Sequence, residues 1–431
     1  MGAADTIFAL SSGAPPAAIA VMRVSGPKAF DAIKALAGLL PEPRKASLRK
    51  LTDPLDGSLL DQALILVFPG PATATGEDLT ELHLHGGRAV VRGVESALAA
   101  MAGLRRAEAG EFTRRAFANG RIDLNEAEGL ADLLAAETEW QRRSAAAMAE
   151  GAFSRAIEDW RDELLSLSAQ LEAAIDFSDE DDVGEEDYQN ISVRCIQLHD
   201  AIKEQLSRPS AEKLRDGLRV VLAGPPNSGK STLLNALVAR EAAIVSEIAG
   251  TTRDLIEIPV AFEGIPFLLT DTAGLRDESG DSVEAIGIER AGKAIADADM
   301  VLWLGAEGEG PKHPRLKEIE ARIDAANHGK KSGAALRLSA KTGEGVSDLV
   351  GLLVREGREM LPPTDSFALN QRQRHLLRNT ALFLSHAAKA SDPLIMAEEL
   401  RQARLALDAL TGRASTEDML DALFGRFCIG K

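Results

Sequence analysis

The stretch "GPPNSGKST", Gly224 to Thr232, decides how the middle of this chain folds. It satisfies G-x-x-x-x-G-K-[ST], with the apolar "LRVVLAG" running into it and the helical "TLLNALVAR" following, the order of strand, loop and helix that a phosphate-gripping loop requires. Gly224 and Gly229 let the backbone curl so that successive N–H groups face phosphate oxygens. The helix N-terminus adds positive potential, Lys230 neutralises the β and γ phosphates, and Ser231 offers a hydroxyl to Mg²⁺. An accidental glycine turn before a helix is the competing reading, and the fit of both flanking elements weighs against it.

Working outward, strands alternate with helices to about residue 360 through "IPFLLTDTAG", "ADMVLWLG" and "AALRLSA", which predicts a doubly wound α/β nucleotide-binding domain. Three short stretches follow the loop at the spacing of a GTP-hydrolysing switch protein: "GTTRD" from Gly250, "DTAG" at Asp271, Thr272, Ala273 and Gly274, and "SAK" at Ser339, Ala340 and Lys341. Thr252 is placed to complete the Mg²⁺ shell, Asp271 to hold that shell through water, and the Gly274 amide to sense the γ phosphate. DTAG alone is a common turn; the ordered combination is specific. The usual base-reading Asn-Lys-x-Asp is missing. The candidate stretch "DAANHGKKSG" sets Asn327, His328, Gly329 and Lys330 where a carboxylate belongs, with no apolar strand before them, so weak nucleotide affinity is expected.

At 431 residues the chain exceeds one hydrophobic core, which predicts two or three domains. With only 4% aromatic residues, aliphatic side chains must fill the cores. A formal charge of -17 repels nucleic acid and anionic membranes at long range, so RNA contact needs a local basic patch or a more basic partner. Arg105, Arg106, Arg114 and Arg115 are candidates for such a patch, and a plain solvated face is the stronger reading of them. The two cysteines, Cys195 and Cys428, have no metal-ligand spacing and suit a reducing, cytoplasmic location. No apolar run approaches the roughly 20 residues that span a bilayer, and no secretion-signal layout opens the chain. "MGAADT" fits a loose lipidation pattern, but "TIFAL" behind it reads as an inward-folding strand.

Residues 1–120 mix strands such as "AAIAVMRV" and "ALILVFPG" with helical runs, a compact α/β or α+β unit. From Asn125 the text turns to long Ala/Leu/Glu/Arg helices, and helical text returns after "LPPTD". The economical arrangement is one discontinuous bundle, 121–212 and 363–431, with a nucleotide domain, 213–362, inserted into it. The acidic run "DFSDEDDVGEED" reads as a solvated loop.

Taken together, "DTIFAL", "RVSGPKA", "TGEDLTELHLHGG", "GEFTRRAFANGRIDLNEAEGLADL", "REAAIVSEIAGTTRD", "DTAGLRD", "IGIERA" and the terminal "FCIGK" resemble the MnmE/TrmE family of tRNA modification GTPases over essentially the whole length. The resemblance implies a Ras-like P-loop G domain, an N-terminal tetrahydrofolate-binding-like domain and a helical domain ending in "CIGK". It implies a K⁺-stimulated GTPase in which Asn227 and the loop Ser246, Glu247, Ile248, Ala249, Gly250, Thr251 and Thr252 cradle the monovalent cation, with Asn227, Ser246, Ile248 and Thr251 as its ligands. The phosphate-loop set is then Asn227, Ser228, Gly229, Lys230, Ser231 and Thr232, with Lys230 catalytic alongside Glu284, which matches the position that orients the attacking water. A solvated acid on a switch helix is the competing reading of Glu284.

Arg23, Glu81, Arg121 and Lys431 match positions that bind a 5-formyl or 5,10-methylene tetrahydrofolate, Arg121 standing where relatives often carry Lys. The implied assembly is a homodimer that joins an FAD-dependent partner in a heterotetramer. It builds a carboxymethylaminomethyl or aminomethyl group on C5 of the wobble uridine of certain tRNAs. A regulatory switch GTPase without RNA-modifying activity is the alternative, and an assembly ATPase a further one. Cys428 has no base near it in sequence, so a buried, inert thiol competes with a nucleophile there.

Overall fold

The computed structural model describes residues 5–176, 185–240, 257–272, 290–326, 328–363, 366–412 and 417–430. The chain divides into two units, Met1–Ala131 with Asp408–Lys431, and Asp132–Leu407.

The first unit is built on β1 (Thr6–Leu10), β2 (Ile19–Ser25), β3 (Ser47–Thr52), β4 (Leu59–Phe68), β5 (Leu79–His85) and β6 (Leu104–Arg106), in spatial order β3-β4-β5-β2-β1-β6. Period-two alternation sets the faces: Ala20, Met22 and Val24 of β2 are fully buried while Arg23 points the other way. Helices α1 (Ala29–Ala37) and α2 (Arg88–Ala99) cover the apolar face, where Phe8, Met22, Ile33, Leu36, Leu51, Ile65 and Leu82 interlock. Expected helix "AFDAIKALAGLL" stops at Ala37 because Gly38 adopts a left-handed cap and its N–H bonds back to Lys34. Apart from the parallel β1–β6 pair, the strands run antiparallel, so this unit is α+β and not the α/β alternative. Helix α3 (Glu111–Ala118) lies near the opposite face, with Phe112 on Ile7 and Ala9.

The helical text after Asn125 is cut into α4 (Leu124–Ala135), α5 (Glu139–Ala149) and α6 (Ala152–Asp176). A capping box at Thr138 starts α5 and Gly151, in the left-handed region, precedes α6. In the second unit α7 (Glu185–Ser207) packs beside α6, so the end of the acidic run is helical; residues 177–184 lie outside the described residues. After α8 (Ala211–Asp216) comes the second sheet: β7 (Leu218–Ala223), β8 (Glu257–Phe262), β9 (Ile265–Asp271), β10 (Met300–Trp303), β11 (Leu316–Glu320) and β12 (Leu336–Arg337), ordered β12-β11-β10-β7-β9-β8. All pairs are parallel except β8–β9. Helices α9 (Lys230–Arg240) and α10 (Val346–Met360) join its core with Leu233, Leu237, Leu349 and Leu353. Helix α11 (Gln371–Ala387) then packs on α7, and α12 (Pro393–Leu410) and, in the first unit, α13 (Glu417–Phe424) complete the chain.

Candidate functional site

Strand β7 is flanked by β10 on one side and β9 on the other, and the crevice past its C-terminal end is where a doubly wound sheet receives ligands. The loop there needs its glycines. Gly224 has φ 155° and Gly229 φ 98°, and a Cβ on Gly224 would lie 2.9 Å from Ser228 Oγ and 3.2 Å from the Gly305 nitrogen. Asn227 also sits in the left-handed region, at φ 61°, which Asn tolerates better than most residues. Lys230, first residue of α9, is buried, and its Nζ donates to the carbonyls of Gly224 (3.0 Å) and Pro225 (2.9 Å), so it lies along the loop it serves. Ser231 Oγ donates to Asp271 Oδ2 at 2.5 Å, joining the helix start to the end of β9. Thr272 Oγ1 anchors the next residue on the Leu222 carbonyl. A hydroxyl and a carboxylate in contact beside a phosphate loop are a donor set suited to a hard divalent cation, so these two residues fit Mg²⁺.

A cavity of about 790 Å³ opens over this loop, lined by Asn227, Gly229, Lys230, Ser231, Thr232 and Leu233 together with Arg322, Asp324, Ala340 and Lys341. Its volume suits a nucleotide. Ser339 is fully buried; its Oγ donates to Asp324 Oδ1 at 2.6 Å and accepts from the Thr342 N–H. That hydroxyl, with the cations of Lys341 and Arg322 nearby, holds the Asp324 carboxyl below the ordinary carboxylate range against partial desolvation.

Asp324 corrects the expectation that this site has a cation in place of a carboxylate. Strand β11 precedes it, so Ala321-Arg322-Ile323-Asp324 occupies the place of the Asn-Lys-x-Asp motif, with Ala for Asn and Arg for Lys. Arg322, at φ 61°, donates from Nη1 to the Asn227 carbonyl at 2.8 Å, tying this segment to the phosphate loop. The cations downstream are used elsewhere: Lys331 Nζ reaches Glu318 (2.5 Å) and the Trp303 carbonyl, while His328 Nε2 faces the buried Glu320 at 3.1 Å. Asn327 lies outside the described residues, as do Ser246, Glu247, Ile248, Ala249, Gly250, Thr251, Thr252, Ala273, Gly274, Glu284 and Lys431.

On the open face of the first unit's sheet, β2 and β5 pair Arg23 with Glu81. Arg23 Nε and Nη2 both donate to Glu81 Oε1, at 3.2 and 2.8 Å, and the guanidinium lies 5.9 Å from the centre of the Phe112 ring. His83 is two residues further along the same face; its Nε2 is buried without a hydrogen-bond partner among the described residues and stands 3.6 Å from Glu81 Oε2. An orphaned imidazole nitrogen beside a carboxylate–guanidinium pair fits a polar heterocycle at this place. Sequence reasoning missed His83, though its position in Glu-x-His at strand spacing was the available signal. Arg121 Nε donates to the Thr73 carbonyl at 3.2 Å. The tail before Lys431 is docked in the first unit, with Ser11 Oγ donating to the Gly430 carbonyl at 2.8 Å and Ile429 bridging Ala109. Cys428 is exposed, against the buried alternative; Cys195 is the buried thiol, its pKa pushed up to about 11 by burial.

A family model described as the MnmE helical domain matches residues 124–428, and one described as the GTP-binding protein TrmE N-terminus matches residues 6–121. The chain belongs to the MnmE family of tRNA modification GTPases. A protein of Rhizorhabdus wittichii called tRNA modification GTPase MnmE is 60% identical over 431 residues, covering 100% of this chain and 97% of its own. Its namesake in Novosphingobium aromaticivorans is 58% identical over 435 residues, covering 99% and 100%. Among solved structures, the G domain of the T. maritima FeoB iron transporter aligns with 32% of this chain and 98% of its own at 24% identity, with a TM-score of 0.24. The two models together span both regions, the loop at Gly224 and the face carrying Arg23. No helix among the described residues is long and apolar enough to cross a membrane.

Proposed function

We propose that this GTPase binds GTP in the cavity over Gly224–Thr232 and uses its hydrolysis to rearrange a complex that modifies tRNA. One observation carries the guanine choice: the Asp324 carboxylate, held by Ser339, lines the same cavity as Lys230 and Ser231. A carboxylate there accepts from guanine N1 and N2 and would face an acceptor in adenine. Ser231 and Thr252 ligate Mg²⁺, with Asp271 behind them. Asn227 with Ser246, Ile248 and Thr251 holds K⁺, which when bound supplies positive charge against the transferring phosphoryl group. Glu284 orients the attacking water.

In the first unit, Arg23 and Glu81, with Arg121 and Lys431, bind a 5-formyl or 5,10-methylene tetrahydrofolate that provides the one-carbon unit for C5 of the wobble uridine. The orphaned His83 nitrogen supports a ligand on that face. A homodimer is supported by the sheet's edge, where Leu48 of the terminal strand β3 and Leu55 and Leu59 of the adjoining hairpin are 56%, 81% and 63% exposed. An FAD-dependent partner completes a cytoplasmic heterotetramer.

The test is hydrolysis of GTP and ATP in K⁺ and in Na⁺, with and without the flavoprotein. Turnover of GTP alone, raised by K⁺, is expected. ATP bound as tightly as GTP would remove the guanine assignment, and equal rates in the two salts would remove the K⁺ assignment.

A further inference from the structure

A chain of formal charge -17 meets RNA only through a locally basic surface. The arginine pairs of the first unit do not provide one. Arg105 lies between Asp5 and Glu111, Arg106 pairs with Glu95, Arg114 with Glu417 and Asp421, and Arg115 with Asp5, Glu77 and Glu111. Each positive charge there is matched by at least one carboxylate.

Helix α11 differs. From Ser366 to Ser391 the sequence contains no Asp or Glu, yet it carries Arg372, Arg374, Arg378 and Lys389 with His375 and His386. Gln373, Leu377, Thr380, Ala381, Leu384 and Ala387 face the bundle. That leaves His375, Arg378, Leu382, His386 and, in the turn just past the helix, Lys389 as an exposed stripe at helical spacing. At 1.5 Å per residue the stripe is about 21 Å long.

Its charge is poorly cancelled. Arg374 donates to the Leu206 and Arg208 carbonyls at the end of α7, and burial together with repulsion from Arg378 pushes its pKa down against the weaker pull of Glu212. Among the described residues no carboxylate forms an ion pair with Arg378 or Lys389. Two acids from other helices touch this segment, Glu212 accepting the Gln371 N–H at 2.6 Å and Glu399 lying 3.6 Å from His386 Nδ1, and Asp392 follows Lys389 by three residues. His375 and Asn379, which flank Arg378 in sequence, touch each other at 3.3 Å and add polar groups beside that guanidinium. Two cations about 16 Å apart along one helix face suit separate phosphates of a nucleic-acid backbone better than a single anion.

We propose that the exposed face of α11, with Arg378 and Lys389 as its charges and His375 and His386 beside them, docks the ribose-phosphate backbone of tRNA. This rests on the tRNA reading above and names the surface that reading requires.

The test uses the full chain and fluorescence anisotropy with a labelled tRNA transcript across a salt series. It compares the unaltered protein, the double variant Arg378→Glu/Lys389→Glu, and Lys45→Glu as a single charge-reversal control in the first unit. Each phosphate contact contributes about 0.7 to 0.9 to the slope of log K against log salt, so losing two should flatten it by about 1.5 and weaken low-salt binding roughly tenfold or more. GTP turnover and the control's RNA affinity should stay unchanged. An unaltered protein that binds no tRNA at low salt overturns the tRNA reading itself. Binding with the same slope in the double variant overturns the α11 assignment alone, as does intact RNA affinity with lost association to the flavoprotein, which would make this face a protein interface.

Discussion

Ser339 donates its hydroxyl to Asp324 at 2.6 Å, and through that contact the "SAK" segment aims the carboxylate that faces the nucleotide cavity. In the proposed reading, base choice rests on this one acid, with Ala321 where the motif has Asn. Asp324→Asn should therefore lower GTP affinity by roughly 10- to 100-fold, the scale of losing a charged hydrogen bond or two, while leaving ATP binding near its original level. Competition titration of a fluorescent GTP analogue by GTP and ATP reads this directly. An unchanged GTP preference would take the base-reading role away from Asp324.

The Ser231–Asp271 contact makes a second prediction. Ser231→Ala removes a hydroxyl from the divalent-cation site but spares Lys230, so nucleotide affinity with EDTA present should change little. With Mg²⁺ added, the unaltered protein should tighten on GTP and the variant should not. Equal Mg²⁺ enhancement in both would place the cation elsewhere.

Much of this was legible in the sequence, for physical reasons that also explain what was not. Strands β7 and β9 are buried over most of their length, so apart from Arg219 in β7 and the polar end of β9 they appear as apolar runs, and the loop between β7 and α9 has a fixed glycine spacing. Strand β11 reads "LKEIE" because Lys317 and Glu318 are matched by Glu356 and Lys331, and Glu320 is buried against His328 and Arg337. Ion pairing replaced hydrophobicity there, which hid the strand and with it the position of Asp324. The anchoring of Arg121 was likewise unreadable, since the Thr73 carbonyl that holds it belongs to a loop with no periodic pattern.

Arg23 and Glu81 satisfy each other on adjacent strands, so removing either leaves an uncompensated partner on the open face. Glu81→Gln keeps the shape and removes the charge. It should weaken binding of 5-formyltetrahydrofolate by roughly tenfold or more while GTP turnover without the flavoprotein is unaffected. Calorimetric titration of the two proteins with the folate measures it, and equal affinities would exclude Glu81 from the site.

The two thiols separate by environment. Cys195 is fully buried and its pKa is raised to about 11, so at pH 8 it is almost wholly protonated, and burial also denies it to reagents. Cys428 is exposed. Titration of the native protein with a chromogenic disulfide at pH 8 should show one fast thiol per chain, abolished by Cys428→Ser, and a second only after denaturant is added. Two fast thiols in the native state would contradict the burial of Cys195.

Gly110 connects the first unit's sheet to its C-terminal tail. It lies at φ 67°, and a Cβ there would stand 2.2 Å from the Phe424 carbonyl oxygen, at the end of α13. Gly110→Ala therefore combines left-handed strain with a backbone collision, and the tail carrying Ile429 and Gly430 must shift away from Ala109 and Ser11. The expected cost is about 1 to 3 kcal/mol of stability in this unit, from the strain of one such backbone position. Because residue 431 follows directly on the displaced segment, folate affinity should fall with it, whereas nucleotide binding in the second unit should not. Thermal unfolding with and without 5-formyltetrahydrofolate separates the two effects: a variant with unaltered melting and unaltered folate stabilisation would show that the tail's docking does not depend on this glycine.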